Sequence, residues 1–98
     1  MKFVIAKAAR DDISQIVAWY DERSNVAGDR FLIDLNKIFC SICEHPTQWR
    51  PLKPGENRRT IHLEHFPYSV IYKLTEKQIR ILVVRHDGRN EGFGLDRI

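Results

Sequence analysis

The sequence lacks the features that would mark a zinc protein, a membrane protein or a multidomain protein. Its only cysteines are Cys40 and Cys43, and no second cysteine pair or His-x-His group stands at zinc spacing. The longest aliphatic run, Ile81–Val84, is far shorter than the roughly 20 residues that cross a bilayer. Met1–Ala6 has no signal-peptide pattern. We therefore expect one domain over residues 1–98, in the cytoplasm, without a metal, a cofactor or membrane contact.

Cys40 and Cys43 stand three residues apart in a stretch of helical periodicity. Side chains at positions i and i+3 of a helix point toward one side, and buried free thiols behave as small hydrophobic groups. We therefore expect both thiols to be reduced, free of metal and largely buried in the core.

Positive charge is concentrated in the second half of the chain. Residues 1–45 carry 6 basic and 7 acidic side chains, whereas residues 46–98 carry 10 basic and 6 acidic ones. The resulting net charge of +4 on the second half, within +3 for the whole chain, fits an anionic partner, either nucleic acid or an acidic protein segment. An ordinary solvated surface explains the same numbers equally well.

The spacing of apolar residues predicts an α+β fold. Lys2–Ala6 alternates weakly and predicts a short strand. Ala8–Glu22 and Val26–Glu44 each carry an apolar stripe with a period of 3.6 residues, and the short break between them predicts an antiparallel helix hairpin. Three alternating segments between Ile61 and Val84 predict a meander within a mainly antiparallel sheet, whose apolar face the hairpin should cover.

One set of large side chains should hold the hairpin to the sheet. These side chains are Ile16, Tyr20, Phe31, Leu35, Ile38, Phe39 and Ile42 on the helices, and Ile61, Val70, Tyr72, Ile81 and Val83 on the strands. Pro46–Asn57 is rich in proline and has no periodicity, so it should be a loop between helix and sheet. Asn90–Ile98 should form a tail that packs loosely on the body.

Three motifs follow one another along this order of elements. They are Arg30-Phe31-x-x-x-Leu35 leading to Glu44-His45-Pro46, then Arg58-Arg59 leading to Phe66-Pro67-Tyr68-x-Val70-Ile71-Tyr72, and finally Val84-Arg85-His86-Asp87-Gly88-Arg89. The ordered set resembles the RelE/ParE superfamily of bacterial toxins over nearly the whole chain. One departure lies at Asn90–Phe93, where related chains often have a proline and a tryptophan.

The resemblance implies the toxin of a type II toxin–antitoxin, or plasmid stabilization, system. Such a toxin inhibits growth until a cognate antitoxin, acidic and partly disordered when free, wraps and silences it. Phe66, Pro67, Tyr68 and Tyr72 would then be the motif residues of the sheet core.

The resemblance also implies one of two targets. The ParE-like branch poisons DNA gyrase and needs no catalytic residue, whereas the RelE-like branch cuts messenger RNA, usually on the ribosome. The RelE-like pattern has two lysines on the first meander strand, an arginine on the second, and an arginine and a tyrosine in the tail. Thr60, His62, Ser69, Asp87 and Phe93 stand at or near those places here. Since this cationic set is absent, we favour the ParE-like, non-enzymatic hypothesis.

The alternative hypothesis is a metal-independent endoribonuclease that uses histidines. His62 and His86 would supply the general base and acid, and Arg59, Arg85 and Arg89 would clamp the phosphate. Under the ParE-like hypothesis, Arg58 and these three arginines would contact the target or the antitoxin instead. Further alternatives are a structural hydrogen bond at a strand end for His86, a plain polar residue on the exposed face for His62, and a toxin whose activity has decayed.

Overall fold

The computed structural model describes all 98 residues as two helices on one face of a five-stranded sheet. The elements are β1 (Lys2–Ile5), α1 (Lys7–Asp21), α2 (Ala27–Glu44), β2 (Arg50–Pro51), β3 (Arg58–His62), β4 (Tyr68–Leu74) and β5 (Gln78–His86). The sheet order is β1-β5-β4-β3-β2. β1 runs parallel to β5, and all other pairs are antiparallel.

This architecture confirms the predicted α+β fold, with its N-terminal strand, helix hairpin and C-terminal meander. The addition is β2, a two-residue strand within the segment predicted to be a loop. Neither helix is both long enough and apolar enough to span a bilayer.

The helix hairpin turns within residues 22–26, and two local features allow this tight connection. Ser24 Oγ accepts the backbone N–H groups of Val26 at 3.3 Å and Ala27 at 3.2 Å, which satisfies donors at the start of α2. Gly28 faces α1 so closely that a Cβ at this position would overlap the Asp21 carboxylate. The absence of a side chain at Gly28 therefore leaves room for the Asp21 carboxylate at the end of α1.

The main core lies between the hairpin and one face of the sheet, which we call the helix face. Its buried members are Ala9, Phe31, Leu35, Ile42, Ile61, Leu63, Tyr68, Val70, Tyr72, Ile79, Ile81 and Val84, and among the half-buried residues packed against them are Ile16, Tyr20, Ile38 and Phe39. Every side chain predicted to hold the hairpin to the sheet is present in this core except Val83.

A β-bulge at Leu82 moves Val83 to the opposite side of the sheet, which we call the back face. Leu82 has no partner on β4, because the register between β4 and β5 shifts by one residue at this point. An extra residue reverses the alternation of side chains beyond it, so Val84 rather than Val83 faces the helices. Val83 packs beside Leu82 and Ile71 on the back face, and its predicted place under the hairpin is therefore wrong.

The C-terminal segment Asn90–Ile98 covers part of the back face. Phe93 and Leu95 pack against the second buried cluster, which contains Val83. Gly94 lies between them with φ of +77°, and a Cβ on it would lie 2.7 Å from a Val83 methyl group. Glycine is thus required both by the backbone conformation and by the close approach. The tail is closely packed rather than loosely packed as predicted.

Cys40 and Cys43 are free thiols, but both are exposed. The side of α2 that faces the sheet is defined by Phe31, Leu35 and Ile42, which are buried at spacings of four and seven residues. Positions 40 and 43 fall outside that stripe. The prediction that the two thiols are buried is therefore wrong.

Replacing Phe31 with alanine should lower the free energy of unfolding by about 3–5 kcal/mol, because it leaves a cavity at a fully buried site. Chemical denaturation measures this loss. The matched control is Ile33→Ala on the same helix, where the side chain is 59% exposed and the change should stay within about 0.5 kcal/mol. A loss below about 1 kcal/mol for Phe31→Ala would contradict its place in the core.

Candidate functional site

His62, Ser69 and Asp87 form a hydrogen-bonded cluster on the back face, which we call the back-face cluster. Ser69 Oγ lies 2.6 Å from His62 Nδ1 and donates a hydrogen bond to Asp87 Oδ1 at 2.5 Å. Since the hydroxyl gives its one proton to Asp87, His62 donates from Nδ1 to Ser69. Ser69 is buried, and its hydroxyl is engaged on both sides. It therefore links the other two side chains and is not placed to attack a substrate.

His86 lies on the helix face. It pairs with Tyr68 across β4 and β5, and the two rings pack edge to face with centroids 5.2 Å apart. Its Nδ1 accepts the backbone N–H of Gly88 at 2.9 Å. His62 pairs with Ser69, the residue after Tyr68, and successive residues of a strand point to opposite faces. The two histidines therefore project from opposite sides of the sheet.

Arg58 and Arg85 hold the C-terminal tail in place. The Arg58 guanidinium donates to the Leu95 carbonyl at 2.5 Å and forms an ion pair with Glu56. The Arg85 guanidinium donates to two tail carbonyls at 2.6 and 2.9 Å. Both side chains are thus engaged by the chain itself, and their role in the fold is structural.

Arg59 and Arg89 differ in how far they are engaged. Arg59 donates to the carbonyls of Thr47 at 3.2 Å and Trp49 at 2.8 Å, which fixes the loop after α2. Arg89 has no such carbonyl partner, and its guanidinium lies over the Phe93 ring at 4.3 Å from the centroid. Of the four arginines predicted to contact a target or a phosphate, Arg89 alone presents a free guanidinium.

The motif residues Phe66 and Tyr68 belong to an aromatic cluster. They join Tyr20 and Phe31, with ring centroids 5.3–6.3 Å apart. The carbonyl of Pro67, which stands between them, accepts the backbone N–H of Asp87 at 2.8 Å. This stretch therefore connects the hairpin, the start of β4 and the end of β5.

Tyr72 connects two of the sequence motifs. Its hydroxyl donates to the Pro46 carbonyl at 2.6 Å, so the end of α2 is tied to the middle of β4. Burial raises the pKa of Tyr72 to about 12, although the nearby positive charge of Arg59 acts in the opposite direction. Burial likewise raises the pKa of Tyr68 to about 12. Both hydroxyls therefore stay protonated near neutral pH.

Asp34, Glu64 and His65 are the one group of side chains with the composition of a metal site. One potential ligand atom of each lies within 4.8 Å of the others. However, Arg30 and Lys37 line the same pocket as Asp34, and their positive charges oppose a cation there. Asp34 has another role, since it accepts the backbone N–H of His65 at 2.9 Å.

A family model described as the ParE toxin of the type II toxin–antitoxin system parDE matches residues 3–91. The chain belongs to the ParE toxin family. Its fold also resembles a solved structure described as the chromosomal ParDE TA system from P. aeruginosa, with a TM-score of 0.64 and 19% sequence identity over 88% of this chain and 95% of that one. No curated protein matches the chain. The resemblance inferred from the motifs is therefore confirmed.

This ParE-family chain contains a partly buried ion pair that no motif in the sequence indicated. Arg97 donates to both carboxylate oxygens of Asp12, at 2.6 and 3.2 Å, and to the Leu82 carbonyl at 3.0 Å. Asp12 also accepts the backbone N–H of Val84 at 3.0 Å. Because β1 pairs only with residues 78–81 of β5, these contacts close the edge of β5 beyond β1.

Replacing Asp12 with alanine should lower the free energy of unfolding by about 1–3 kcal/mol, since it leaves the buried Val84 N–H without an acceptor and Arg97 without its carboxylate. Urea denaturation measures the loss. The matched control is Asp11→Ala on the same helix, where the exposed carboxylate pairs only with Lys7 and the change should stay below about 1 kcal/mol. Equal losses in the two variants would refute the role of Asp12 in closing the edge.

The raised pKa values of Tyr68 and Tyr72 predict a loss of stability in alkali. Unfolded tyrosine titrates near pH 10 and the folded groups near 12, so the unfolded state loses its protons first and stability falls between these values. Tyr72→Phe should flatten this slope while costing about 0.5–1.5 kcal/mol at neutral pH for the hydrogen bond to Pro46. Denaturation curves from pH 8 to 12 test this, and an unchanged slope would count against it.

Proposed function

We propose that this ParE-family toxin acts by binding DNA gyrase and inhibiting it, without catalysis of its own. We further propose that it acts in the cytoplasm and that a cognate antitoxin neutralises it by binding. The observation that carries the choice of target is the back-face cluster of His62, Ser69 and Asp87.

The back-face cluster stands where the RelE-like pattern would have cations. Cleavage of RNA by its 2′-hydroxyl builds negative charge on the phosphorane, which nearby positive groups must stabilise. Here Ser69 stands at one of those places and Asp87 near another, and the Asp87 carboxylate lies 3.4 Å from His62 Nδ1. A carboxylate at this point repels a phosphate instead of stabilising it.

The second consideration is the distribution of possible acids and bases. A general acid and a general base must both reach the reacting phosphodiester within hydrogen-bond distance. His62 lies on the back face and His86 on the helix face, so the pair suggested from the sequence does not converge on one substrate. This disfavours the ribonuclease alternative and supports a protein that works by binding.

Expression of this chain without its antitoxin should trigger the DNA-damage response and filamentation while bulk translation continues at first. The purified protein should inhibit supercoiling by gyrase in vitro. His62→Gln and His86→Gln should retain this inhibition, because neither ring serves a chemical step under the proposal. Matched thermal melting of the variants controls for folding.

The ribonuclease alternative gives the opposite pattern. Translation would stop early, transcripts would show new 5′ ends, and a well-folded His62→Gln or His86→Gln variant would lose them, since a general acid or base contributes about 10²–10⁴-fold to a rate. That result would overturn the proposal.

A further inference from the structure

The outer side of α2 carries a stripe of residues that lies open to solvent. Val26, which directly precedes the helix, Ile33 and Cys40 stand seven residues apart, so they lie along one side of α2. Val26 is 48% exposed and Ile33 59% exposed, and Cys40 is a free, exposed thiol. None of the three belongs to either buried cluster. We call them, with the charged side chains between them, the outer stripe.

Opposite charges flank the centre of the outer stripe at equal distances. Asp29 lies four residues before Ile33, Lys37 lies four residues after it, and both are exposed. Neither side chain forms an ion pair within the chain. A helix that crosses Ile33 in the antiparallel sense, with the same spacing of charges, would therefore meet both of them with their complements.

We propose that two copies of this chain associate through the outer stripe, with their α2 helices antiparallel and a two-fold axis at Ile33. The partner that covers the stripe is thus a second copy of the same chain. This inference goes beyond gyrase inhibition and antitoxin binding, and it depends on neither.

The two-fold axis fixes which residues of the two copies meet. In such an isologous contact a residue n positions before Ile33 lies opposite the residue n positions after it in the other copy. Ile33 therefore meets Ile33, Val26 meets Cys40, and a thiol packs there as a small hydrophobic group. Asp29 meets Lys37 twice, once on each side of the axis. The apolar contacts thus lie at the centre and the ends, with the two ion pairs between them.

The same charges oppose the other arrangements. In a parallel pair each residue meets its own copy, so Asp29 would face Asp29 and Lys37 would face Lys37, which is repulsive. A strongly acidic partner would leave Asp29 without a complement, and a strongly basic one would leave Lys37 without one. The antiparallel second copy satisfies both residues.

Ile33 also lines a groove of about 410 Å³ between α2 and the loop after β3, with Lys37 and Phe66 on its walls. Because Ile33 lies on the axis, the Ile33 side chain of the second copy has this groove directly beside it. A side chain that enters such a hollow packs more closely than one on a flat surface.

The expected dimer is weak, because one helix pair makes a small interface. The 18 residues of α2 extend over about 27 Å. Contacts of this kind fall in the class below about 1,200 Å² of total buried surface, which is typical of transient complexes. We therefore expect a dissociation constant in the micromolar range.

Sedimentation equilibrium of the purified protein over a concentration series, in the presence of a reducing agent, should show monomer and dimer in exchange. Ile33→Glu should weaken the dimer by about 30-fold or more, because it places two like charges on the axis. The matched control is Trp19→Ala on α1, where the side chain is 50% exposed and the dissociation constant should change by less than about 5-fold.

Charge reversal tests the antiparallel register. Asp29→Lys and Lys37→Asp each place like charges opposite one another on both sides of the axis, so each should weaken the dimer by about 10-fold. The double variant Asp29→Lys/Lys37→Asp restores both pairs and should return the dissociation constant to within about 3-fold of the wild-type value. A double variant that dimerises no better than the single variants would overturn the proposed register.

A disulfide tests the same geometry without changing Ile33. Val26→Cys in a Cys43→Ser background should form a cross-linked dimer on oxidation, through Cys40 of the second copy. Within one chain, positions 26 and 40 lie about 21 Å apart along the helix, beyond the roughly 7 Å between Cα atoms that a disulfide allows. Adding Cys40→Ser should abolish the cross-link, and a cross-link that persists would indicate a parallel pair and overturn the inference.

Circular dichroism and thermal melting establish that each variant is folded. A wild-type protein that stays monomeric throughout the concentration series would overturn the inference, and so would a dimer that Ile33→Glu leaves unchanged. Inhibition of gyrase by such a monomer would leave the proposed function intact, so the two failures are distinguishable.

Discussion

The carboxylate of Asp12 joins three parts of the fold. It belongs to α1, accepts a backbone N–H from β5, and pairs with Arg97 of the tail. Because β1 is too short to cover the whole of β5, an open edge would otherwise remain beside the core. The ion pair closes that edge and holds the end of the tail against the sheet.

Asp34 on α2 makes a similar link, since its carboxylate accepts the N–H of His65. Both carboxylates stand inside the apolar stripe of their helix, three residues after Ala9 and Phe31 respectively. A charged residue at such a position indicates a buried link, so its presence could have been predicted. Its partner could not, because loops and strand ends distant in sequence supply the N–H groups.

The elements and their order were predictable because hydrophobic periodicity depends on local spacing. The bulge at Leu82 was not predictable, because an alternating run of β-branched residues looks the same with or without an extra residue. That one residue decides that Val84 faces the helices and Val83 the tail. The predicted burial of Cys40 and Cys43 was wrong for a related reason. Their spacing shows that they share a side of the helix, but it does not show which side is buried.

At the candidate site too, the residue types were evident from the sequence, but the contacts that their side chains make were not. The motifs identified the correct family, but the arginines in them were expected on a binding surface. The tail and the loop after α2 instead expose carbonyl groups that need donors, and Arg58, Arg59 and Arg85 satisfy them. Once these cations are engaged by the chain itself, a phosphate would have to compete with those bonds. Arg89 is stacked on Phe93 and donates to no carbonyl, so its guanidinium is not engaged in this way.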